Sequence, residues 1–122
     1  MFRCIVLVPS YNSGALLHRT VLAVLAVWAD VVVVIDGSTD GSGQAVEDML
    51  ATHAGLHVLH LPRNGGKGAA VLHGAEWAIQ HGYTHVLTMA ADGQHPVAAV
   101  QEFGAAARCV PKAFVLGLRI FG

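Results

Sequence analysis

Short apolar runs alternate with segments of helical periodicity along most of this chain. Five of the runs have the length and apolar content expected of buried strands. They are Cys4–Val8, Val31–Ile35, His57–Leu61, His85–Ala90 and Ala113–Leu118. The pattern predicts five strands with polar, glycine-containing segments after most of them.

Between these runs, apolar residues recur three or four positions apart, which predicts helices. The expected inward positions are Leu17, Val21, Leu25 and Trp28 in the first helix, Val46, Met49 and Leu50 in the second, Leu72, Ala75 and Ile79 in the third, and Val97, Val100 and Phe103 in the fourth. Gly82 is expected to end the third helix, and Pro96 suits the first turn of the fourth. Such alternation favours an α/β fold, a mainly parallel sheet with helices on both faces.

Composition limits the classes of protein that fit this pattern. With 122 residues, of which 54% are hydrophobic and 12% charged, the chain is expected to form a single domain over residues 1–122. A net charge of −1 and the absence of a Lys/Arg run argue against a nucleic-acid partner. The two cysteines, Cys4 and Cys109, have no metal-type spacing and make no disulfide framework, and a reducing, cytoplasmic compartment fits this best.

One apolar stretch, residues 21–35, has a composition that suits a membrane span. It is shorter than the roughly 20 residues that a span needs, and at Asp30 it changes from a helix-like to a strand-like pattern. Arg3 precedes an apolar run of only five residues that closes at Pro9, so no signal peptide is visible. We therefore expect no transmembrane segment in this chain.

Asp36 is the first candidate for ligand recognition. It follows a fully apolar run, so its carboxylate is expected at the end of a buried strand, where ligands bind in parallel sheets. There it can accept a hydrogen bond from a base N–H, which uracil and guanine offer and the matching cytosine nitrogen does not. An alternative is that Asp36 merely forms a local turn with Gly37.

A glycine-rich segment, Asn-Gly-Gly-Lys-Gly at residues 64–68, opens the third predicted helix. Free backbone N–H groups, the helix dipole and the Lys67 ammonium suit a diphosphate at this position. The spacing of a phosphate-binding P-loop is absent, and a plain turn into a helix is the alternative.

Asp92 and Gln94 supply two oxygen ligands in a turn, which suits Mg²⁺ or Mn²⁺ held jointly with substrate phosphates. An ordinary Asp-Gly turn is the alternative. His95 alone among the histidines lies within a candidate site. The other seven show no metal-ligand spacing and are expected to be surface or packing residues: His18, His53, His57, His60, His73, His81 and His85.

Four motifs, at residues 9–12, 35–40, 64–70 and 90–95, together closely resemble the family 2 glycosyltransferases with the GT-A fold, a Rossmann-like architecture. The Asp-Gly-Gln-His form at 92–95 is most similar to the branch containing dolichyl-phosphate mannose/glucose synthases and related bacterial lipid-linked enzymes. The resemblance covers nearly the whole chain and corresponds to the N-terminal, donor-binding half of the fold.

The resemblance implies a site for a UDP- or GDP-linked sugar. The implied nucleotide-sugar-binding residues are Pro9, Tyr11, Asn12, Asp36, Gly37, Ser38, Asn64, Lys67, Gly68, Ala90, Ala91 and Asp92. Asp92 is also the implied catalytic residue, since with Gln94 it would hold the Mg²⁺ or Mn²⁺ ion that stabilises the departing diphosphate. The implied reaction is inverting transfer to a lipid carrier or glycan acceptor, in the cytoplasm or at the inner face of the membrane.

Three positions depart from the family pattern. Ser13 stands where many members carry glutamate, and Ile35 replaces the first of two common aspartates. Ala90 replaces the first carboxylate of the metal-binding motif. Loss of a charged hydrogen bond there predicts a cost of about 1.5–3 kcal/mol, or roughly 10- to 150-fold, in binding or turnover.

Members of the family continue well past residue 122, so we interpret the chain as truncated at its C-terminus. An exposed apolar edge would then favour self-association. A catalytically impaired nucleotide-sugar-binding module is an alternative function. A nucleotidyltransferase on a similar fold is a further alternative, but it would need basic residues in the first loop, and residues 9–14 contain no Lys or Arg.

Overall fold

The structure is a computed structural model that describes residues 2–89 and 114–117. Strands and helices alternate along the described chain, as predicted. In order they are β1 (Cys4–Ser10), α1 (Ala15–Leu25), β2 (Val31–Asp36), α2 (Ser42–Glu47), a 3-10 turn (Asp48–Ala51), β3 (Leu56–Leu61), α3 (Lys67–Gln80), β4 (His85–Thr88) and β5 (Phe114–Gly117). The helix predicted after Pro96 and the expected end of the fourth strand at Ala90 lie outside the described residues.

All described strand pairs are parallel, and the five strands have the order β3-β2-β1-β4-β5. From β1 the chain moves outward through β2 to β3, and then crosses back to place β4 on the other side of β1. The strand order therefore reverses between β1 and β4. In open α/β sheets, a crevice for ligands forms beyond the carboxyl ends of the strands at this point.

The four valines of β2 show why the sheet is covered on both faces. Successive side chains of a strand point to opposite faces. Val31 and Val33 pack in the core beneath α1 and α2, whereas Val32 and Val34 pack in the core beneath α3. All four are fully buried, as the continuous apolar run predicts.

Helix α3 approaches the sheet through small residues, which corrects the predicted inward face. Gly74 and Ala75 are buried, but Leu72 and Ile79 are 61% and 51% exposed. A Cβ atom on Gly74 would lie 2.4 Å from Cδ1 of Leu7. The large side chains of the sheet fill the space beneath the helix, so only small helix residues fit against them.

Two further predicted positions differ from the structure. Leu50 is 39% exposed because it lies in the 3-10 turn after α2, where Met49 takes the buried position. Trp28 lies beyond the end of α1 at Leu25. Its ring still packs against the core, and its indole N–H donates to the carbonyl oxygen of Cys4 at 2.9 Å.

Strand β1 continues through Pro9 to Ser10, whereas Pro9 was predicted to close it. The Leu7 carbonyl accepts a hydrogen bond from Met89 N–H, so the main chain of Leu7, and that of Pro9 two residues on, faces β4. Among the described residues, pairing of β1 with β4 ends with Leu7 opposite Thr88, so the part of the ladder that they form needs no N–H from Pro9.

The apolar stretch at residues 21–35 spans the end of α1, a connection and nearly all of β2. Among the described residues, no helix has the length and hydrophobicity needed to cross a membrane.

Candidate functional site

Three loops follow β1, β2 and β3 at the carboxyl edge of the sheet. We name them the β1 loop (residues 11–14), the β2 loop (residues 37–41) and the β3 loop (residues 62–66). Each begins where its strand ends in the parallel sheet, so all three emerge on the same side.

Asn12 joins the β1 loop to the β2 loop. Its Oδ1 accepts hydrogen bonds from the backbone N–H groups of Thr39, at 2.7 Å, and Asp40, at 3.2 Å. Its own N–H donates to Ser38 Oγ at 2.9 Å, and Nδ2 donates to Thr39 Oγ1 at 3.4 Å. Asn12 has a φ of 50°, a left-handed conformation that asparagine adopts more readily than most residues.

Asp40 returns a contact from the β2 loop to the β1 loop. Its Oδ2 accepts the N–H of Gly14 at 3.0 Å, immediately before α1. Gly14 offers no side-chain cap of its own, so a carboxylate from a different loop satisfies a donor at this helix N-terminus. At the end of β1, Ser10 Oγ donates to Ser13 Oγ of the β1 loop at 2.9 Å.

Asp36 connects β2 to the β3 loop. The residue is only 3% exposed, and its Oδ1 accepts the N–H of Gly65 at 2.9 Å. Asn64 Nδ2 donates to the Asp36 carbonyl oxygen at 3.3 Å. The contacts of Asp36 thus extend beyond a local turn with Gly37, and its role in ligand recognition stays a prediction. Among the described residues, no donor binds the second carboxylate oxygen, Oδ2.

Gly37 brings the backbones of the β2 and β3 loops into direct contact. A Cβ atom at this position would lie 2.5 Å from the Asn64 backbone nitrogen and 2.7 Å from the Arg63 carbonyl carbon. Its φ of 71° also favours glycine. The three loops thus form one connected surface that runs from the β1 loop to the start of α3.

The remaining predicted residues are placed as follows. Pro9 lies near the end of β1, and Tyr11 projects from the β1 loop with 52% of its surface exposed. Lys67 begins α3, and Gly68 is an exposed residue of its first turn. Four predicted residues lie outside the described part of the chain: Ala90, Ala91, Asp92 and Gln94. The described residues contain no group of three potential His, Cys, Asp or Glu metal ligands.

Local patterns indicated no individual role for Thr39 or Asp40, and the N–H groups of residues 64–68 were predicted to be free for a diphosphate. The N–H of Gly65 is not free, because it donates to Asp36 Oδ1. An aspartate followed by glycine before a short helix suggests a local cap. Asp40 instead accepts a hydrogen bond from Gly14 at the start of α1, which comes earlier in the chain, so no local pattern could reveal this contact. The Gly65 N–H likewise meets Asp36 from 29 positions away.

In the part of the chain that the structure describes, the groups with shifted pKa values lie at the opposite, amino edge of the sheet. Burial, reinforced by the negative charge of Asp30, raises the pKa of the Cys4 thiol to about 11. Burial also raises the pKa of Tyr83, whose hydroxyl donates to Asp30 at 3.3 Å, and lowers the pKa of His57. His57 and His85 serve in packing, against Trp77 and Phe2.

Residues 5–121 match the family described as Glycosyl transferase family 2. The chain belongs to this family. The prediction from the four motifs is therefore confirmed, and the match includes the segment outside the described residues.

Two relatives indicate the branch of family 2. The chain is 36% identical over 96 residues to a polyprenol monophosphomannose synthase of Mycolicibacterium smegmatis. The aligned region covers 76% of the chain and 36% of that protein. The chain is 35% identical over 95 residues to an undecaprenyl-phosphate mannosyltransferase of Micrococcus luteus, covering 76% of the chain and 39% of that protein. The predicted branch, similar to dolichyl-phosphate mannose synthases, is confirmed.

Solved structures confirm the GT-A fold. Residues 1–349 of TarS from S. aureus superpose with a TM-score of 0.68 at 27% identity, covering 88% of this chain and 32% of that one. The mannosyltransferase PcManGT from Pyrobaculum calidifontis, in complex with GDP-Man and Mn²⁺, has a TM-score of 0.61 at 28% identity, covering 74% of this chain and 27% of that one. The chain thus spans well under half the length of each of these proteins.

Proposed function

We propose that this family 2 chain forms the donor-binding part of an enzyme that transfers a sugar from a nucleoside diphosphate to a polyprenyl phosphate. The observation that carries the proposal is the arrangement of Asp36. Its carboxylate is buried at the carboxyl edge of the sheet, with Oδ1 fixed by Gly65 and Oδ2 without a donor among the described residues.

Asp36 would recognise the base of the donor. A carboxylate oxygen accepts the ring N–H of uracil or guanine, whereas the corresponding cytosine nitrogen has no hydrogen to donate. Because Gly65 holds Oδ1, the orientation of Oδ2 is set before the ligand arrives. Tyr11 supplies an exposed ring on the neighbouring loop for contact with the base.

The N-terminus of α3 would hold the diphosphate. Three features favour an anion at this position: the N–H groups of the first turn, for which an α-helix has no internal acceptors, the helix dipole and the Lys67 ammonium. Gly66, with a φ of 90°, turns the β3 loop into the helix, and Gly68 leaves open space beside the first turn. Asn64 attaches the middle of this loop to β2 through its hydrogen bond to the Asp36 carbonyl oxygen.

A divalent ion would complete the donor site. The β1, β2 and β3 loops, as far as they are described, offer no set of three metal ligands, and Asp36, the buried carboxylate beside them, already accepts a hydrogen bond from Gly65. The donor chemistry of Asp92 and Gln94 suits Mg²⁺ or Mn²⁺, with the remaining ligands coming from the diphosphate. Once bound, the ion would stabilise the charge that develops on the departing diphosphate. The Mn²⁺ in the PcManGT complex supports this assignment.

The acceptor is proposed from the relatives. Both mannosyl-transferring relatives carry a polyprenol or undecaprenyl-phosphate acceptor in their names. We propose transfer of mannose to such a lipid phosphate, at the inner face of the membrane. These relatives are named as enzymes, one a synthase and one a mannosyltransferase, so they do not support the alternative of a binding module without activity.

A transfer assay on the full protein that carries this chain tests the proposal. Labelled GDP-mannose, undecaprenyl phosphate and Mn²⁺ are expected to yield a lipid-linked mannose. Restoring the missing carboxylate with Ala90→Asp is expected to increase turnover by roughly 10- to 150-fold. If the folded protein binds GDP-mannose but forms no lipid product, even with the restored aspartate, the proposed reaction is wrong.

A further inference from the structure

We infer that Asn12 is a positioning residue: its side-chain amide holds the β1 loop, with Tyr11, in a fixed relation to the β2 loop, which follows Asp36. The consequence for nucleotide binding rests on the proposed function. The loop contact itself does not, because it forms within the chain without any ligand.

Asn12 uses its amide and its backbone together. The Oδ1 atom accepts from two successive N–H groups, those of Thr39 and Asp40, and so takes the place that a backbone carbonyl has in a tight turn. Nδ2 and the Asn12 N–H add two more hydrogen bonds, both to side chains of the β2 loop. A glutamine side chain is one methylene longer, so it would not place its oxygen between the same two donors.

The contact between the loops is reciprocal. While Asn12 binds the N–H of Asp40, the Asp40 carboxylate binds the N–H of Gly14. Two bonds of opposite direction therefore connect the same two loops, on either side of Ser13. A hinge motion that opens one bond must strain the other, so the β1 loop is fixed in both position and orientation.

These bonds contribute more to loop geometry than to the stability of the fold. All the hydrogen bonds of Asn12 are exposed, and each is expected to contribute about 0.5–1.5 kcal/mol net at most. The fold depends instead on the fully buried strands β1 and β2. Removing the amide is therefore expected to leave the sheet intact while the two loops move independently.

Independent loops would weaken nucleotide binding. If Tyr11 and Asp36 both contact the donor nucleotide, the distance between these two residues must match the nucleotide when it binds. When the loops are already ordered, the entropy of ordering them is lost on folding and not on binding. Asn12 thus acts on the ligand through Tyr11 and the β2 loop rather than by touching it.

Three variants separate this role from a general structural one. Asn12→Gly removes the amide and tolerates the positive φ, so it deletes the contact without adding backbone strain. Asn12→Asp keeps an acceptor oxygen for Thr39 and Asp40 and is expected to rescue the contact. Gln44→Ala is the matched control, because it removes an exposed side-chain hydrogen bond, from Gln44 to Asp48, in which Asn12 takes no part.

Hydrogen exchange measures the loop contact directly. In the unliganded protein, the N–H groups of Thr39 and Asp40 are expected to exchange at least 10-fold faster in Asn12→Gly than in the natural chain. In Asn12→Asp and Gln44→Ala they are expected to exchange at nearly the natural rate. Unchanged exchange in Asn12→Gly would overturn the inference, whatever the ligand proves to be.

Calorimetric titration with GDP and UDP in the presence of Mn²⁺ then measures the effect on binding. We expect Asn12→Gly to lose at least 10-fold in affinity, Asn12→Asp to recover most of it, and thermal unfolding to change little. Equal affinity of Asn12→Gly and the natural chain would refute the positioning role and leave the proposed function standing. If the natural chain binds neither nucleotide, the proposed function fails, and the exchange result alone decides the role of Asn12.

Discussion

The backbone of Gly37 lies against the backbone of Asn64 so closely that a Cβ atom on Gly37 would be 2.5 Å from the Asn64 nitrogen. Heavy atoms that are not bonded do not approach to this distance. The loop that follows Asp36 is therefore packed directly on the loop that opens α3, and this packing depends on a missing side chain.

Gly37→Ala is expected to destabilise the protein more than Gly41→Ala does. Both glycines lie in the β2 loop with positive φ, 71° and 79°, so both variants incur backbone strain of roughly 1–2 kcal/mol. Only Gly37 has backbone atoms in the way, whereas nothing lies within 4 Å of a Cβ at Gly41. The overpacking adds about 1–3 kcal/mol at Gly37. Urea denaturation of both variants checks this, and equal losses would show that the close contact is absent.

Alanine substitutions at two glycines of α3 are expected to have opposite signs. A Cβ on Gly74 would meet Leu7 at 2.4 Å and Val34 at 2.9 Å, so Gly74→Ala is expected to lower the free energy of unfolding by about 1–3 kcal/mol. A Cβ on Gly68 would meet nothing within 4 Å, and alanine there gains roughly 0.5–1 kcal/mol of helix propensity. If Gly74→Ala is neutral, α3 does not lie against the sheet as described.

Thr20→Val is expected to stabilise the protein. Thr20 is a buried residue of α1, and its Oγ1 has no hydrogen-bond partner among the described residues. Replacing the hydroxyl with a methyl group of similar size removes a desolvation cost of about 1–3 kcal/mol. Thr20→Ser is the control, since it keeps the hydroxyl and loses a buried methyl, and it is expected to destabilise. A destabilised Thr20→Val would mean that the hydroxyl has a partner in solution.

Stability is expected to fall as the pH is lowered through the range in which His57 titrates. Burial lowers the pKa of His57, with a smaller lowering from His81 and an opposing effect from Asp30. The unfolded chain therefore binds the proton more readily than the folded chain. The stability associated with neutral His57 is complete above an unfolded pKa of about 6.5, and it is lost as pH falls toward the lower pKa of the folded state.

His57→Phe tests the origin of this pH dependence. Phenylalanine keeps a ring against Trp77, whose centroid lies 4.9 Å from that of His57, and cannot be protonated. The unfolding free energy of the variant, measured by denaturation between pH 5 and 8, is expected to vary less with pH than that of the natural chain. An unchanged slope would assign the effect to other groups.

Strands β1 and β2 were predictable because their burial on both faces leaves a continuous apolar run, as in residues 31–34. The inward face of α3 was not, because the choice of Gly74 over Leu72 depends on the space that Leu7 and Val34 occupy in strands far away in sequence. A hydrophobic pattern alone favours the larger residue. The inward face of α3 can be predicted only when the strands beneath the helix are known.

The candidate site was predictable only as a set of loops at one edge of the sheet. The family motifs selected Asn12 and Asp36 as ligand-binding residues. Their observed partners, Asp40 and Gly65, lie 28 and 29 positions away along the chain. Contacts of this range depend on the order of the strands, which no local pattern fixes.

Calorimetric titration of the chain and of Asp36→Asn with UDP, GDP and CDP in the presence of Mn²⁺ tests the central claim most directly. Asparagine can still accept from Gly65, but it replaces an acceptor with an amide donor or a weaker acceptor at the position proposed to face the base. We predict that UDP or GDP binds, that CDP binds at least 10-fold more weakly, and that Asp36→Asn loses this preference. Equal binding of all three nucleotides, or unchanged binding by a folded Asp36→Asn, would contradict the donor site proposed at Asp36.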